Sequence, residues 1–362
     1  MPFIYFTVTN DLSYDQRMIR ICQSLSDAGY TVHLIGRKKK TSIPLDSKSF
    51  NQTRIFCFFE KGKLFYIEYN LKLFFFLLFR RMDGICAIDL DTILPCLLVS
   101  KLKKIHRIYD AHELFCEMKE VVSRPSIHRI WKWIEKKTIP SFQFAYTVNQ
   151  PIADEFRKMY AIDFEVIRSI ASYKPRLNHT NREKFILYQG AVNEGRCFES
   201  LIPAMQWIEC KLIICGDGNF MSQTREIVNK YNLNNKVIFK GMMKPEDLRL
   251  ITENAYIGTT FCEKDSLSTY YSLANRFFDY MQSHLPQVCV KFPAYEELNN
   301  LYDIAVLIDD LSPKGIALSI NELLNDEEKW QRLHENSKIA SIELSWQNEE
   351  KKLIQFYKKI FG

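Results

Sequence analysis

The chain has 362 residues, more than one hydrophobic core usually organises, so two domains are expected. Its residues are 47% hydrophobic with a net charge of only +6, which argues against disorder, and no helix-turn-helix, RNP or zinc-finger pattern is present, so nucleic acid is not an expected partner. The ten cysteines are scattered, with no CxxC pair and no Cys/His cluster at zinc spacing; this reads as a reducing compartment and no metal.

The chain opens on a strand-like run, Phe3 to Val8, with no charged segment and cleavage site ahead of it, and a cytoplasmic location is expected. Thr9-Asn10-Asp11-Leu12-Ser13-Tyr14-Asp15 leads into a helix near Asp15 to Ala28, with Ile19, Cys22 and Leu25 on its apolar face. Ser13 or Asp11 suits the N-cap of this helix and Gly29 its end, before the strand Thr31 to Ile35. The loop after the first strand contains no glycine, which excludes the G-x-G-x-x-G turn of a dinucleotide fold, and the P-loop pattern is absent too.

Leu71 to Arg81 is a short apolar run with basic ends, and further basic clusters lie at Arg37 to Lys40, Lys101 to Arg107 and Arg129 to Lys137. Such a run suits a membrane interface facing anionic lipid, whereas its length favours a buried core helix. No segment offers the ~18 uninterrupted apolar residues that a membrane span needs. Gly84 to Ile88, a helix from Thr92 to Leu102, and Arg107 to Tyr109 continue a βαβ rhythm that predicts a parallel sheet covered on both faces.

The rhythm stops at Pro140, Pro151 and the polar stretch Ala171 to Glu183, which marks the domain boundary. A second series of strands follows at Phe185 to Tyr188, Lys211 to Cys215, Lys236 to Phe239, Ala255 to Gly258 and Val288 to Val290. Ligands of open α/β sheets bind at the carboxyl ends of strands, so a cleft lined by both sheets is the expected site. Glycines stand at those ends, in Gly190 to Arg196 and Cys215-Gly216-Asp217-Gly218-Asn219, where they let backbone approach a phosphate or base closely.

The run Asn275-Arg276-Phe277-Phe278-Asp279-Tyr280-Met281 places one acid on an apolar, aromatic helix before Pro286. Asp is a poor helix former and costly to bury unpaired. A pair of ribose hydroxyls, each donating to the carboxylate, offsets that cost; a solvated helix face is the alternative.

In order and spacing these pieces resemble a GT-B glycosyltransferase, specifically the retaining group named glycosyltransferase family 4. The resemblance covers essentially the whole chain and is strongest over Gly190 to Arg196, Gly216-Asp217-Gly218, Gly241-Met242-Met243 and Asn275 to Pro286. It implies two Rossmann-like doubly wound domains facing a central cleft, an acceptor-binding domain over 1–175 and a nucleotide-sugar-binding domain over 183–344. The final segment, 345–362, from Ser345-Trp346-Gln347 onward, resembles the family's closing helix, which crosses back to the first domain.

By that resemblance Asp279 grips the donor ribose and Arg196 neutralises the donor diphosphate, a task suited to a permanently charged, forked guanidinium. Gly190, Gly195, Gly216, Gly218, Gly241, Met242 and Asn275 shape the nucleotide site. In the first domain Tyr109-Asp110-Ala111-His112-Glu113 resembles the family's D-x-H-E segment: His112 sits beside the transferred sugar, while Asp110 and Glu113 orient it or contact acceptor hydroxyls. Asn10 and Asp11, with Asp15 and Arg17, resemble the first loop that touches diphosphate or acceptor. The chain departs from the pattern at Tyr271, where many relatives carry an acid, and at Ala191, where an Arg is common.

The resemblance implies metal-independent, retaining transfer of a hexosyl-type sugar from a nucleotide-diphosphate sugar to a glycan or lipid-linked acceptor, in cell-surface polysaccharide synthesis, without a separate cofactor. A peripheral position on the inner face of the plasma membrane accords with the basic clusters. The departures at Tyr271 and Ala191 leave open a non-catalytic GT-B protein that binds a sugar nucleotide or a partner enzyme.

Overall fold

A computed structural model describes residues 1–13, 15–176 and 184–362. In chain order the first part holds β1 (Phe3–Thr7), α1 (Gln16–Asp27), β2 (Thr31–Lys38), β3 (Asn51–Phe56), α2 (Gly62–Leu78), β4 (Gly84–Ile88), α3 (Ile93–Lys103), β5 (His106–Ala111), α4 (Lys119–Val122), α5 (Pro125–Thr138), β6 (Phe144–Thr147), α6 (Gln150–Tyr160) and β7 (Glu165–Val166). It continues with β8 (Phe185–Gln189), α7 (Phe198–Ala204), β9 (Lys211–Cys215), α8 (Met221–Lys230), β10 (Val237–Gly241), α9 (Pro245–Asn254), β11 (Ile257–Thr260) and α10 (Leu267–Tyr271). The last elements are α11 (Asn275–Gln282), β12 (Gln287–Val290), α12 (Pro293–Tyr302), β13 (Ala305–Ile308), α13 (Pro313–Asn325), α14 (Glu327–Glu343) and α15 (Trp346–Phe361).

The chain divides into two compact units, Met1–Ser169 with Asn348–Gly362, and Ile170–Gln347. The division thus falls at the start of the polar stretch expected to mark it, of which 177–183 lies outside the described residues.

The first unit is built on a parallel sheet of order β3-β2-β1-β4-β5-β6-β7. The chain leaves β1 outward through β2 and β3, then returns to β4 on the other side of β1. That reversal opens a crevice at the carboxyl ends of β1 and β4. Right-handed crossovers set α2 and α3 on one face of the sheet. The apolar face of α1 consists of Met18, Ile21, Cys22 and Leu25, with Ile19 only half-buried, and the buried Arg17 lies beside it. Its N-cap is Asp15, whose carboxylate accepts from the Met18 N–H at 3.1 Å, in place of the expected Ser13 or Asp11.

α15 completes this unit. Tyr357 and Leu353 are fully buried, and Phe361 packs edge-on against Tyr30 and His106. Gly84 is small because the Phe361 ring occupies the space a Cβ would need, at 2.4 Å. The almost fully buried Glu349 accepts from the Arg168 N–H at 2.8 Å and pairs with Lys352 at 2.7 Å, which fixes the start of the helix.

α2 corrects the expectation of a buried helix. Phe65, Tyr69, Leu73 and Leu77 recur every four residues and are buried, while Leu64, Ile67, Leu71 and Phe75 form a second, exposed row. A helix apolar all round has no single core face that periodicity can pick out.

The second unit repeats the plan on a parallel sheet of order β10-β9-β8-β11-β12-β13, with its reversal between β8 and β11. Its core includes Tyr188, Ile214, Phe277, Phe278, Met281 and Val288. Each such side chain contributes roughly 1.5–3 kcal/mol on burial. α11 lies tight on the sheet because Gly258 presents no Cβ to the Tyr280 ring, which would be 2.6 Å away. This brings Arg276 and Asp279 to the end of β8.

Candidate functional site

In the first unit the carboxyl ends of β1, β4 and β5 gather one charged cluster. Asp110, fully buried at the end of β5, pairs with the buried Arg17 guanidinium at 3.0 Å. Arg17 also donates to the Ile167 carbonyl at 3.0 Å, so it is held from two sides. The other Asp110 oxygen meets His112 Nε2 at 3.2 Å. Asp89 holds His112 twice, accepting from its backbone N–H at 2.8 Å and facing Nδ1 at 3.5 Å.

Asp89 has φ 52°, a left-handed conformation that a non-glycine residue adopts only under constraint. That constraint aims its carboxylate at His112. Asp91, one residue beyond Leu90, accepts from the Thr9 hydroxyl, and its carbonyl accepts from Asn70 at 3.0 Å.

Electrostatics follow from this crowding. Burial alone would lower the His112 pKa, but the Asp110 and Asp89 carboxylates outweigh it and raise the pKa to about 9. His112 is therefore a cation at neutral pH, with Nε2 bonded to Asp110 and Nδ1 facing Asp89. Asp110 is also buried, yet Arg17 and His112 hold its pKa below the usual carboxylate value. Burial pushes Asp89 up to about 6, with His112 opposing, and Asp91 up to about 7, with Asp89 adding to the rise. Glu113 is likewise raised by burial, with His112 opposing.

The first loop behaves differently from expectation. Asp11 accepts from Arg54 at 3.0 Å, from the Ser42 hydroxyl, and from both groups of Ser13. These bonds hold its pKa down at about 2 against the opposing effect of burial. Asp11 thus ties its loop to β3 instead of presenting a free carboxylate to a ligand. Asn10 donates to Asp15 at 3.1 Å, and its carbonyl accepts from Arg37 at 2.9 Å.

In the second unit the loops after β8, β9, β10 and β11 are stitched together by backbone hydrogen bonds. The Gly190 N–H donates to the Cys215 carbonyl, Gly216 to Gly241, Val192 to Asp217, and Glu263 to Gly195. Gly216 has φ 140°, and a Cβ there would lie 1.9 Å from the Gly190 carbonyl oxygen, so the approach of the two loops requires glycine. Gly218 leaves similar room for the Val192 carbonyl, and the adjacent Asn193 side chain accepts from the Asn219 N–H at 3.1 Å. Gly241 ends β10, and Met242 after it is 77% exposed.

Arg196 follows Gly195 in the β8–α7 loop and is half-buried. α11 begins at Asn275, which is exposed, and no side chain caps its first turn. Of its first-turn N–H groups, Phe277 donates to the Ala274 carbonyl at 3.0 Å, and the terminus carries the positive potential that helix starts offer to anions. Asp279, half-buried one turn later, accepts from Gln189 Nε2 at 2.9 Å. Gln189 is itself oriented by the Thr252 hydroxyl at 2.7 Å and by its backbone N–H on Tyr280 at 3.1 Å.

The structure thus gathers Asp110, His112 and Glu113 at one sheet edge of the first unit. It gathers Gly190, Gly195, Arg196, Gly216, Gly218, Gly241, Asn275 and Asp279 at the corresponding edge of the second. Sequence reasoning missed Asp89 and Asp91, whose signal was an Asp-Leu-Asp following the strand Gly84 to Ile88. It also missed Arg276, which stands on the same apolar helix as Asp279 and is 8% exposed.

Residues 169–340, nearly the whole second unit, match the family described as glycosyl transferases group 1. No curated protein matches the chain in sequence. Among solved structures, sucrose-phosphate synthase from Thermosynechococcus elongatus is similar with a TM-score of 0.79, at 17% identity, over 100% of this chain and 99% of that one. A glycosyltransferase from Rickettsia africae gives a TM-score of 0.78, at 12% identity, over 99% of this chain and 98% of that one. HepE from Anabaena, solved in complex with UDP-glucose, gives 0.74, at 12% identity, over 99% of this chain and 100% of that one. At these identities the likeness defines the fold: two Rossmann-like parallel-sheet units in the GT-B architecture. Across the second unit, fold and sequence pattern both resemble those of group 1 glycosyl transferases.

Proposed function

We propose that this protein is a glycosyltransferase that moves a sugar from a nucleotide-diphosphate sugar to a saccharide or lipid-linked acceptor. The observation that carries the reading is the family match over 169–340, in the unit whose strand ends hold Arg196, the uncapped start of α11 and Asp279. Arg196 and the uncapped N-terminus of α11 supply positive potential where a diphosphate would sit. Asp279, steadied by Gln189, offers a carboxylate to ribose hydroxyls. A uridine nucleotide is the first donor to test, by analogy with the UDP and UDP-glucose complexes of HepE.

In this reading the second unit stabilises the departing diphosphate with fixed charge and helix-terminal N–H groups, so no metal is needed for that step. His112 is cationic and bonded through Nε2 to Asp110; its Nδ1–H, which faces Asp89 at 3.5 Å without a hydrogen bond, donates to the transferred sugar in this reading. Transfer proceeds with retention: the acceptor hydroxyl attacks on the face the diphosphate leaves, and a donor phosphate oxygen takes its proton. The role is assembly of a cell-surface glycan.

The acceptor side is membrane-peripheral in this proposal. Leu64, Ile67, Leu71 and Phe75 on α2, and Leu94, Leu98 and Leu102 on the adjoining α3, are exposed. Exposed Lys63, Arg80, Arg81, Lys101 and Lys104 border them. Apolar rows bordered by cations match an anionic bilayer surface, where each basic residue contributes about 1 kcal/mol. No helix among the described residues is long and apolar enough to cross a membrane.

Thermal stabilisation by UDP, GDP, ADP and CMP tests the donor reading, because a ligand that binds only the folded protein must stabilise it. One nucleotide giving a shift that Asp279→Ala abolishes supports it. No shift with any nucleotide overturns it.

A further inference from the structure

Arg276 is a charge without a counter-charge. It lies in the first turn of α11 and is 8% exposed. Its Nη1 donates to the Gln189 carbonyl at 3.0 Å, and its Cζ sits 4.3 Å over the Tyr188 ring. Its Nε is buried with no hydrogen-bond partner, and no carboxylate pairs with it among the described residues.

Its burial, its position at a helix start and its unpartnered Nε are unfavourable for a cation. Burial removes its hydration, and buried charges are ordinarily paired or bound to ligand. The start of a helix carries positive potential, which repels a guanidinium. The Gln189 carbonyl and the surrounding tyrosines, Tyr188 first, offset the burial and hold its pKa above the ordinary arginine value, yet none of them is an anion at neutral pH. A bound anion would supply the counter-charge that the surrounding protein does not.

The surroundings place such an anion. Nη1 lies 3.6 Å from where a Cβ would stand on Gly190, so a side chain at that turn would cover the guanidinium. Gly190 opens the loop that carries Arg196, and Arg276 Nη1 bonds the carbonyl of Gln189 immediately before it, so both cations belong to this loop. Ala191, next along the turn, is exposed and carries no charge.

We propose that Arg276 is a second diphosphate-binding cation, supplied from α11 to the same anion site as Arg196. This rests on the donor-binding reading above and deepens it. The pairing is suited to a nucleoside diphosphate over a nucleoside, because only the former brings the anion that a buried guanidinium lacks.

Calorimetric titration with UDP and uridine, and in parallel with GDP and guanosine, tests this in the wild type, in Arg276→Gln and in Arg276→Gln/Ala191→Arg. Gln retains a donor for the Gln189 carbonyl without the charge. The expected result is a loss of about tenfold or more in diphosphate affinity with nucleoside affinity kept within about twofold, as removal of a charge-assisted hydrogen bond implies. The arginine at position 191 should then restore part of the diphosphate affinity, which a purely structural role for Arg276 would not allow.

A ¹⁵N spectrum of the wild-type arginine Nε–H groups gives a second readout that needs no folded variant to perform. The Arg276 resonance, assigned against Arg276→Lys, should move with the diphosphate and stay still with the nucleoside. Equal loss of both ligands, unchanged diphosphate affinity in folded Arg276→Gln, or an unmoved Nε–H signal would overturn the proposal. A wild type that binds none of the four ligands would instead remove the donor reading itself.

Discussion

The Asp110–His112–Asp89 arrangement makes a quantitative prediction about pH. In an unfolded chain His112 titrates near 6.5, and in the fold it titrates at about 9. At about 1.4 kcal/mol per pH unit, that difference corresponds to on the order of 3 kcal/mol of folding stability. The folded value is the higher one, so the contribution is complete below pH 6.5 and is lost as pH rises through 9. Asp89 and Asp91, raised by burial to about 6 and about 7, act in the same direction at lower pH, because their protonated forms are favoured in the fold. Stability should therefore decline from weakly acid pH to pH 9. Replacing His112 with Gln should flatten the part of that decline above pH 6.5 and lower stability at pH 7, since Asp110 then keeps only Arg17. Denaturant unfolding at several pH values reads the slope, and an NMR titration of the imidazole, assigned by the variant, reads the pKa itself. An imidazole pKa at or below 6.5, or equal slopes in wild type and His112→Gln, would refute the reasoning.

Three further outcomes are expected. Arg196→Ala should weaken nucleoside diphosphate binding by roughly tenfold and nucleoside binding little, as loss of a charge-assisted contact predicts; equal losses in calorimetry would take Arg196 out of the phosphate site. Asp279→Asn should reduce affinity for a ribonucleotide more than for its 2′-deoxy analogue, and an unchanged ratio would argue against ribose recognition. Leu71→Asp with Phe75→Asp should cut sedimentation with anionic vesicles more than tenfold, since each apolar side chain contributes roughly 1.5–3 kcal/mol when buried; equal sedimentation would remove α2 from the membrane reading.

Much of the architecture was legible because parallel strands buried on both faces read as continuous apolar runs. Gly84 to Ile88 and Lys211 to Cys215 were placed without error. β3 was not seen, because Asn51–Phe56 is a polar edge strand covered on neither side like its neighbours. The strand placed at Ala255 to Gly258 lies at Ile257–Thr260, since Ala255 closes α9 and two threonines extend the strand beyond the glycine. The site was legible wherever a residue type is needed for a backbone reason, as at Gly216. Pairings set by tertiary structure were not legible. Asp11 looks available in its own loop, and only the fold brings Arg54, 43 residues away, onto its carboxylate. The same holds for Arg17 and Asp110, which are 93 residues apart.

The two sheet edges differ in electrostatic sense, and the difference bears on the proposed roles of the two units. At the first unit's edge, four carboxyl groups, those of Asp89, Asp91, Asp110 and Glu113, act on His112 or one another, with Arg17 and His112 the cations among them. Burial and mutual repulsion raise Asp89, Asp91 and Glu113, so an anionic ligand there would raise them further. At the second unit's edge stand the cations Arg196 and Arg276, and no acid pairs with Arg276 among the described residues. A diphosphate lowers the electrostatic energy of the second edge and raises that of the first. The first is suited instead to hydroxyls, which take hydrogen bonds from cationic His112 and give them to carboxylates, and to a sugar that gains positive charge as its diphosphate departs. The proposed division, nucleotide binding by the second unit and sugar handling by the first, accords with the charges each sheet edge already holds.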